Sequence, residues 1–374
     1  MRFYKQQHQF YCGVDLHARS LYVCLLDHNG TKHIHRNFNT NDPDGFLAAL
    51  EPFHHYDLIV GCESTFNWYW LADLCTTQNI PFLLGHALYL KAIHGGKTKT
   101  DRIDSEKLAL LLRGGNFPVS YAYPADLRDT RDLLRRRATI IRRRSGTITH
   151  VQMVNYQQNL PAFPKSISYK ANREGLAERF PEGSLRTMMQ MDADLIDFYD
   201  TQIQKLDLYL EQHAKLDDPD TFFRLQSIPG VGRILAMTLL YEIHDIDRFP
   251  TVGQFLSYAR LVKGTNSSAG KSYKPTGSKI GNPHLKWAFS EAITLLKREC
   301  PLAKAFAEPD TENNTIGGCP GGSISGGYGA IEQQPENERT PVFAEKTGVC
   351  IVQDSSGTYY LMGDEGLEPP TPSV

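Results

Sequence analysis

The sequence predicts an α/β domain with a mixed sheet, followed by long helices and then by a mostly helical region. Three observations predict it. Residues 10–38, "FYCGVDLHARSLYVCLLDHNGTKHIHRNF", alternate β-branched and aromatic residues with polar ones around an "HNG" turn, which reads as antiparallel strands. The period becomes helical over about 124–160 and again over 184–215 ("LIDFYDTQIQKLDLYLEQ"). Finally, "FFRLQSIPGVGRILAMTLLYEI" (222–243) sets two apolar helical patterns around a Gly-rich turn.

After the first strands come a helix over 43–51, an apolar strand "DLIVGCES" (57–64), a helix from about Asn67 to Thr77 and a short strand "IPFLLGH" (80–86). Strands first and alternation afterwards give a mixed sheet. Between the long helices, "LPAFPKSISYKANREG" is loop-like. The pair carries an Arg-rich face and predicts a coiled-coil or dimer arm, with an ordinary helical core pair as the alternative. The "PGVG" turn has the layout of a helix-hairpin-helix, in which Gly230 and Gly232 let backbone N–H groups approach a phosphate; glycine at a tight turn is the plainer explanation. A helix "FPTVGQFLSYARLV", a loop "KGTNSSAGKSYKPTGSKI" and an amphipathic helix "GNPHLKWAFSEAITLLKREC" follow. Beyond Cys300 the text is Gly-rich, acidic and without sustained period, so disorder is expected from about residue 308. The expected domains are 8–122, 123–217 and 218–303, with a tail over 304–374.

The 374 residues are 41% hydrophobic and 22% charged, an ordinary globular composition. No apolar run approaches the roughly 18 residues of a membrane span, and "MRFYKQQHQF" lacks a signal-peptide core, so no membrane partner and a cytoplasmic, nucleoid-associated location are expected. Seven scattered cysteines without a CxxC pair argue against a disulfide framework or a zinc site and read as reduced, mostly buried thiols. The net charge of −2 hides a basic body: residues 1–300 carry 37 Lys/Arg against 31 Asp/Glu. Eight arginines fall in "RDTRDLLRRRATIIRRR" (128–144). Arg135, Arg136, Arg137, Arg142, Arg143 and Arg144 are candidate phosphate contacts, the alternatives being a solvated helix face or partners for acidic side chains.

Four carboxylates carry the chemistry. Asp101 and Asp104 stand three apart in "HGGKTKTDRIDSEKLALLLRGG", where a basic loop gives way to a helical pattern. They can serve as a polar helix start, or share one face and hold a hard divalent cation such as Mg²⁺. Asp15 lies inside a β pattern on the face opposite Val14 and Leu16, and Glu63 ends an apolar strand. Acidic groups in such places are costly unless paired or bound to a cation. Salt-bridging of Asp15 to Arg19 and helix capping by Glu63 are the plain alternatives. Jointly the four favour a metal-dependent nuclease-type centre of ribonuclease-H-like kind.

The run of motifs "YCGVDLHARSLYVCLLD", "GCESTFNWYWLADLC", "LGHALYLKAIHGGKTKTDRIDSEKLALLLRGG", "YPADLRDTRDLLRRR", "SIPGVG" and "NSSAGK…KIGNPHLKWAFSEA" resembles the insertion-sequence-110 family of DEDD transposases, relatives of the Piv-type DNA invertases. The resemblance covers residues 10 to about 300. It implies a RuvC-like domain in which Asp15, Glu63, Asp101 and Asp104 form the DEDD tetrad and bind Mg²⁺. It also implies a serine nucleophile in a C-terminal transposase domain, joined covalently to a DNA phosphate. Ser268 of "TNSSAGK" matches it, Ser267 is the adjacent rival, and Lys263, Lys271 and Lys274 are near enough in sequence to offset phosphate charge. A composite site in a homo-oligomer (dimer or tetramer), the long helices as dimerising arm, and a structured guide RNA (a bridge RNA) pairing with donor and target DNA are further implications. The Gly-rich, acidic tail departs from the basic helical continuation usual in the family. A RuvC-like structure-specific DNA nuclease and an inactive truncated nucleic-acid-binding remnant are the alternatives.

Overall fold

A computed structural model describes residues 2–93, 100–262 and 280–299, together with the backbone of short strands within 266–273 and 339–368. The chain divides into two compact units, Met1–Arg128 and Asp129–Val374.

In the first unit the strands are β1 (Phe3–Tyr4), β2 (Phe10–Leu16), β3 (Ser20–Asp27), β4 (Lys32–Asn39), β5 (Leu58–Glu63), β6 (Phe82–Gly85) and β7 (Phe117–Ser120). The helices are α1 (Pro43–Leu50), α2 (Tyr69–Thr77), α3 (Ala87–Ile93) and α4 (Asp101–Arg113). One sheet runs in the order β1-β7-β6-β5-β2-β3-β4. Strands β2, β3 and β4 form an antiparallel meander, while β2, β5 and β6 are mutually parallel neighbours. This mixed sheet with helices fits a ribonuclease-H-like domain.

The two-residue period of the strands sorts the core into two faces. Val14, Leu16, Val23, Leu25 and Val60 pack with Phe46, Leu50 and Leu71. On the other face Tyr11 and Ile59 pack with Leu108, Leu111 and Leu112 of α4. Helix α4 approaches β2 closely because Gly13 has no side chain: a Cβ there would lie 2.3 Å from Ala109 N and from Ser105 O. Cys12, Cys24, Cys62 and Cys75 are buried free thiols, as the sequence suggests. Strands β1 and β7 and helix α3 are absent from the sequence reading: a two-residue strand, a four-residue strand interrupted by Pro118 and a seven-residue helix each carry too little period to be read.

The second unit holds α5 (Ala125–Gln157, all but its first four residues) and α6 (Ser184–Asp217), helices of 33 and 34 residues. Their ion pairs run in opposite order along the two helices, Arg137–Asp207, Arg144–Asp200 and His150–Asp192, so the pair is antiparallel. Ile148, Val151 and Val154 of α5 share a core with Met189 and Ile196 of α6 and with Ile167, Leu176 and Phe180 of the connection.

Helices α7 (Pro219–Gln226), α8 (Arg233–Ile243), α9 (Val252–Tyr258) and α10 (Pro283–Glu299) follow. Asp218 and Thr251 cap α7 and α9 by accepting from Thr221 N–H and Gln254 N–H. The "KGTNSSAGKSYKPTGSKI" stretch, expected as loop, contains a hairpin of β8 (Asn266–Ser268) and β9 (Lys271–Tyr273). Short strands are also described within the 304–374 tail. Strands β10 (Arg339–Ala344), β11 (Cys350–Asp354), β12 (Tyr359–Gly363) and β13 (Gly366–Glu368) pair antiparallel in sequence order. "TPVFA", "CIVQD" and "YYLMG" carry the β-branched and aromatic residues that favour strands.

Candidate functional site

Asp15 is the last residue but one of β2 and stands on the face covered by α4. Its side chain is 15% exposed, and Oδ2 is buried without a hydrogen-bond partner. The His17 ring nitrogen Nε2 is 3.3 Å from that oxygen, at ion-pair distance but outside hydrogen-bond geometry, and 3.2 Å from Asp101 Oδ1. Burial raises the Asp15 pKa above its ordinary value; His17 draws it back, and the charges of Asp104 and Asp101 raise it again.

Helix α4 brings the second pair of carboxylates. Thr100 caps it, its Oγ1 accepting from Ile103 N–H at 3.3 Å, which puts Asp101 and Asp104 in the first turn. Asp104 accepts from Lys107 Nζ at 3.1 Å. Asp101 and Asp104 thus form a polar helix start, and Asp101 of that turn reaches the same His17 nitrogen as Asp15. Glu63 closes β5. In the parallel register Val14 pairs with Cys62, so Asp15 and Glu63, the next residue on each strand, reach the same carboxyl-terminal edge of the sheet. Such edges are where open α/β sheets bind ligands.

Donor atoms of Asp15, His17 and Asp101 lie within 4.8 Å of one another. A buried carboxylate oxygen with no donor, a second carboxylate and an imidazole suit a divalent cation. Asp15 and Asp101 are the carboxylates of this group; Asp104, whose charge acts on Asp15, and Glu63 at the end of β5 are not among its members. The sequence reading omits His17; its signal is the two-residue spacing from Asp15, which keeps both on one face of extended chain.

Residues 12–154 match the family model of DEDD transposases of the IS110 type, and residues 223–308 match that of the Transposase IS116/IS110/IS902 family. The chain belongs to the IS110 family of DEDD transposases. No curated protein matches it. As a transposase it is a DNA-recombining enzyme with DNA as partner. No helix among the described residues is long and apolar enough to cross a membrane.

The transposase uses much of its arginine run internally. Arg128 pairs with Asp73 and lies over the Trp68 and Tyr69 rings. Arg131 and Arg135 pair with Glu242, Arg137 with Asp207 and Arg144 with Asp200. Arg136, Arg142 and Arg143 are exposed. Among the turn glycines, Gly230 has φ +86° and a Cβ there would lie 2.5 Å from Ala292 O, so its bareness serves packing on α10. Gly232 precedes α8 with open space at its Cβ position. In the β8–β9 hairpin Ser268 pairs with Lys271 and Ser267 with Ser272. Lys263 and Lys274 fall outside the described residues.

Proposed function

We propose that this transposase cuts and rejoins DNA at a divalent-cation centre of Asp15, Glu63, Asp101 and Asp104, with a serine of the β8–β9 hairpin, Ser268, as nucleophile. The observation that carries the reading is the buried Asp15 Oδ2, which lacks a hydrogen-bond donor and stands beside His17 and Asp101. Mg²⁺ is the expected ion, because carboxylate oxygens are hard donors. A bound cation would supply Lewis-acid stabilisation of the phosphodiester oxygens. His17, within reach of two of the carboxylates, orients them and can hold a proton at Nε2.

The serine step balances simply. Ser268 Oγ attacks phosphorus, a phosphate–serine ester forms, and the bond from phosphorus to one sugar oxygen breaks. The serine proton passes to a base and the sugar oxygen leaves as a hydroxyl. Reversal by another strand's hydroxyl frees the serine and joins the DNA. Lys271, paired with Ser268 in the hairpin, offsets phosphate charge, and Ser267 is the rival nucleophile. Arg136, Arg142 and Arg143 follow the nucleic-acid backbone, and the open N-terminus of α8 at Gly232 accepts a phosphate. A structured guide RNA supplies sequence choice by base pairing, and a homo-oligomer joined by the long helices completes the site.

The test is a covalent-adduct trap with purified protein, Mg²⁺, labelled element-junction DNA and RNA transcribed from the flanking region. A labelled protein band that disappears in Ser268→Ala and in Asp101→Asn supports the reading. Cleavage without a band assigns the chemistry to water and makes the protein a RuvC-like nuclease. Binding of RNA and DNA without either signal marks an inactive remnant.

A further inference from the structure

Glu242 of α8 is 1% exposed, among Leu239, Leu240 and Tyr241, which are also buried. Burying a carboxylate is costly, and an apolar residue would pack there at less cost. Instead the group is saturated. Arg135 donates from Nε to Oε1 at 2.6 Å and from Nη2 to Oε2 at 2.7 Å, Arg131 Nε donates to Oε2 at 3.3 Å, and Asn282 Nδ2 donates to Oε2 at 2.8 Å. Burial alone would raise its pKa, but these donors hold it below the usual carboxylate value.

Asn282 ties this node to the ends of the chain segment that carries Ser267 and Ser268. Its Oδ1 accepts from His284 N–H at 2.9 Å and Leu285 N–H at 3.2 Å, capping α10. Its backbone N–H donates to Tyr258 O at 2.6 Å. Next to it Gly281, at φ +94°, passes so close that a Cβ would lie 2.6 Å from Tyr258 O. Arg260 Nε donates to Ile280 O at 2.9 Å. The chain therefore leaves the helical unit at Tyr258–Arg260 and returns beside it at Ile280–Asn282, and in sequence the strands with Ser267 and Ser268 fall between these ends. The neck of the loop is pinned to a buried carboxylate, which is itself pinned to two arginines of α5.

We infer that Glu242 and Asn282 are positioning residues for the nucleophile: the chain of contacts Arg131/Arg135–Glu242–Asn282 fixes the neck from which the serine hairpin meets a DNA phosphate. This rests on the reading of the hairpin as bearer of the nucleophile. Positioning errors of about an ångström cost on the order of a hundredfold in rate, so the neck needs a rigid anchor.

The informative variant is Asn282→Ser in the full-length protein. Serine still caps α10 but is too short to reach Glu242. The expected result is adduct formation slowed about tenfold to a hundredfold at saturating DNA, with DNA affinity unchanged. Faster amide exchange between residues 261 and 280, with that of α8 and α10 retained, is the companion signature. Glu242→Gln keeps an acceptor for Asn282 and loses less, and combining it with Asn282→Ser adds little, as expected for groups acting in one chain. A wild-type adduct rate and wild-type exchange in Asn282→Ser overturn the inference. If the wild-type protein forms no adduct, the nucleophile reading fails instead, and the exchange profile alone decides whether Asn282 fixes the neck.

Discussion

Two buried carboxylates, Asp15 and Glu242, show opposite solutions to one problem. Glu242 is held by two guanidinium groups and an amide, and its pKa is lowered. Asp15 has one oxygen without a hydrogen-bond partner and two further carboxylates whose charges act on it, and its pKa is raised. A saturated buried acid belongs to the architecture. An undersatisfied one beside like charges is an arrangement that an added positive charge would stabilise. On the proposed reading, the difference separates an anchor from a cation site.

Truncation separates the two acids most. Glu242→Ala leaves Arg131 and Arg135 with their carboxylate removed and is expected to cost about 3–5 kcal/mol in urea denaturation. Asp15→Asn, measured without divalent cation, is expected to be neutral or stabilising because it removes an unfavourable charge. A large loss for Asp15→Asn would mean that His17 already satisfies it.

Cation linkage sharpens the same contrast. Mg²⁺ at a hundredfold excess over its Kd should stabilise the wild-type protein by about 2.7 kcal/mol. Asp15→Asn should abolish the shift in Tm and Glu242→Gln should leave it intact. Equal shifts in all three proteins would place the cation elsewhere.

The pH dependence should have opposite signs for the two acids. The lowered Glu242 pKa contributes stability that is present above its unfolded value and is lost as pH falls through the folded one. The raised Asp15 pKa does the reverse: its ionised form destabilises the cation-free protein above the folded value, and acid relieves that penalty. Acid titrations of Glu242→Gln and Asp15→Asn against wild type, followed by denaturant midpoint, should therefore diverge in opposite directions. Parallel curves would remove the distinction.

The smallest effect concerns the arginines. Arg136→Ala, Arg142→Ala and Arg143→Ala should each reduce the slope of log affinity for DNA against log salt by about 0.9 per lost phosphate contact. Arg137→Ala, which removes the partner of Asp207, should lower stability more than that slope. A slope change confined to Arg137→Ala would reverse the assignment.

Much of this was legible in sequence, and the limits are physical. Period-two alternation placed β2, β3 and β4 and put Asp15 opposite Val14 and Leu16, because a strand exposes its faces directly in the residue order. The helical period likewise located α5 and α6. Long-range partners leave no local trace. Nothing near Arg135 or Arg144 announces Glu242 or Asp200, so an arginine run suggestive of nucleic acid turned out to supply several internal ion pairs. The approach of α4 to Gly13 is equally silent, since one glycine inside a strand has many causes. His17 was readable in principle from its spacing to Asp15. The β8–β9 hairpin was not, its strands being three residues each.

The decisive measurement is the denaturing-gel adduct assay on wild type, Ser268→Ala, Ser267→Ala and Asp15→Asn with Mg²⁺ and element-junction DNA. A labelled protein band retained in Ser267→Ala and lost in both Ser268→Ala and Asp15→Asn is the predicted result. A band that persists in Ser268→Ala, or in Asp15→Asn, would contradict the assignment of nucleophile or cation centre respectively.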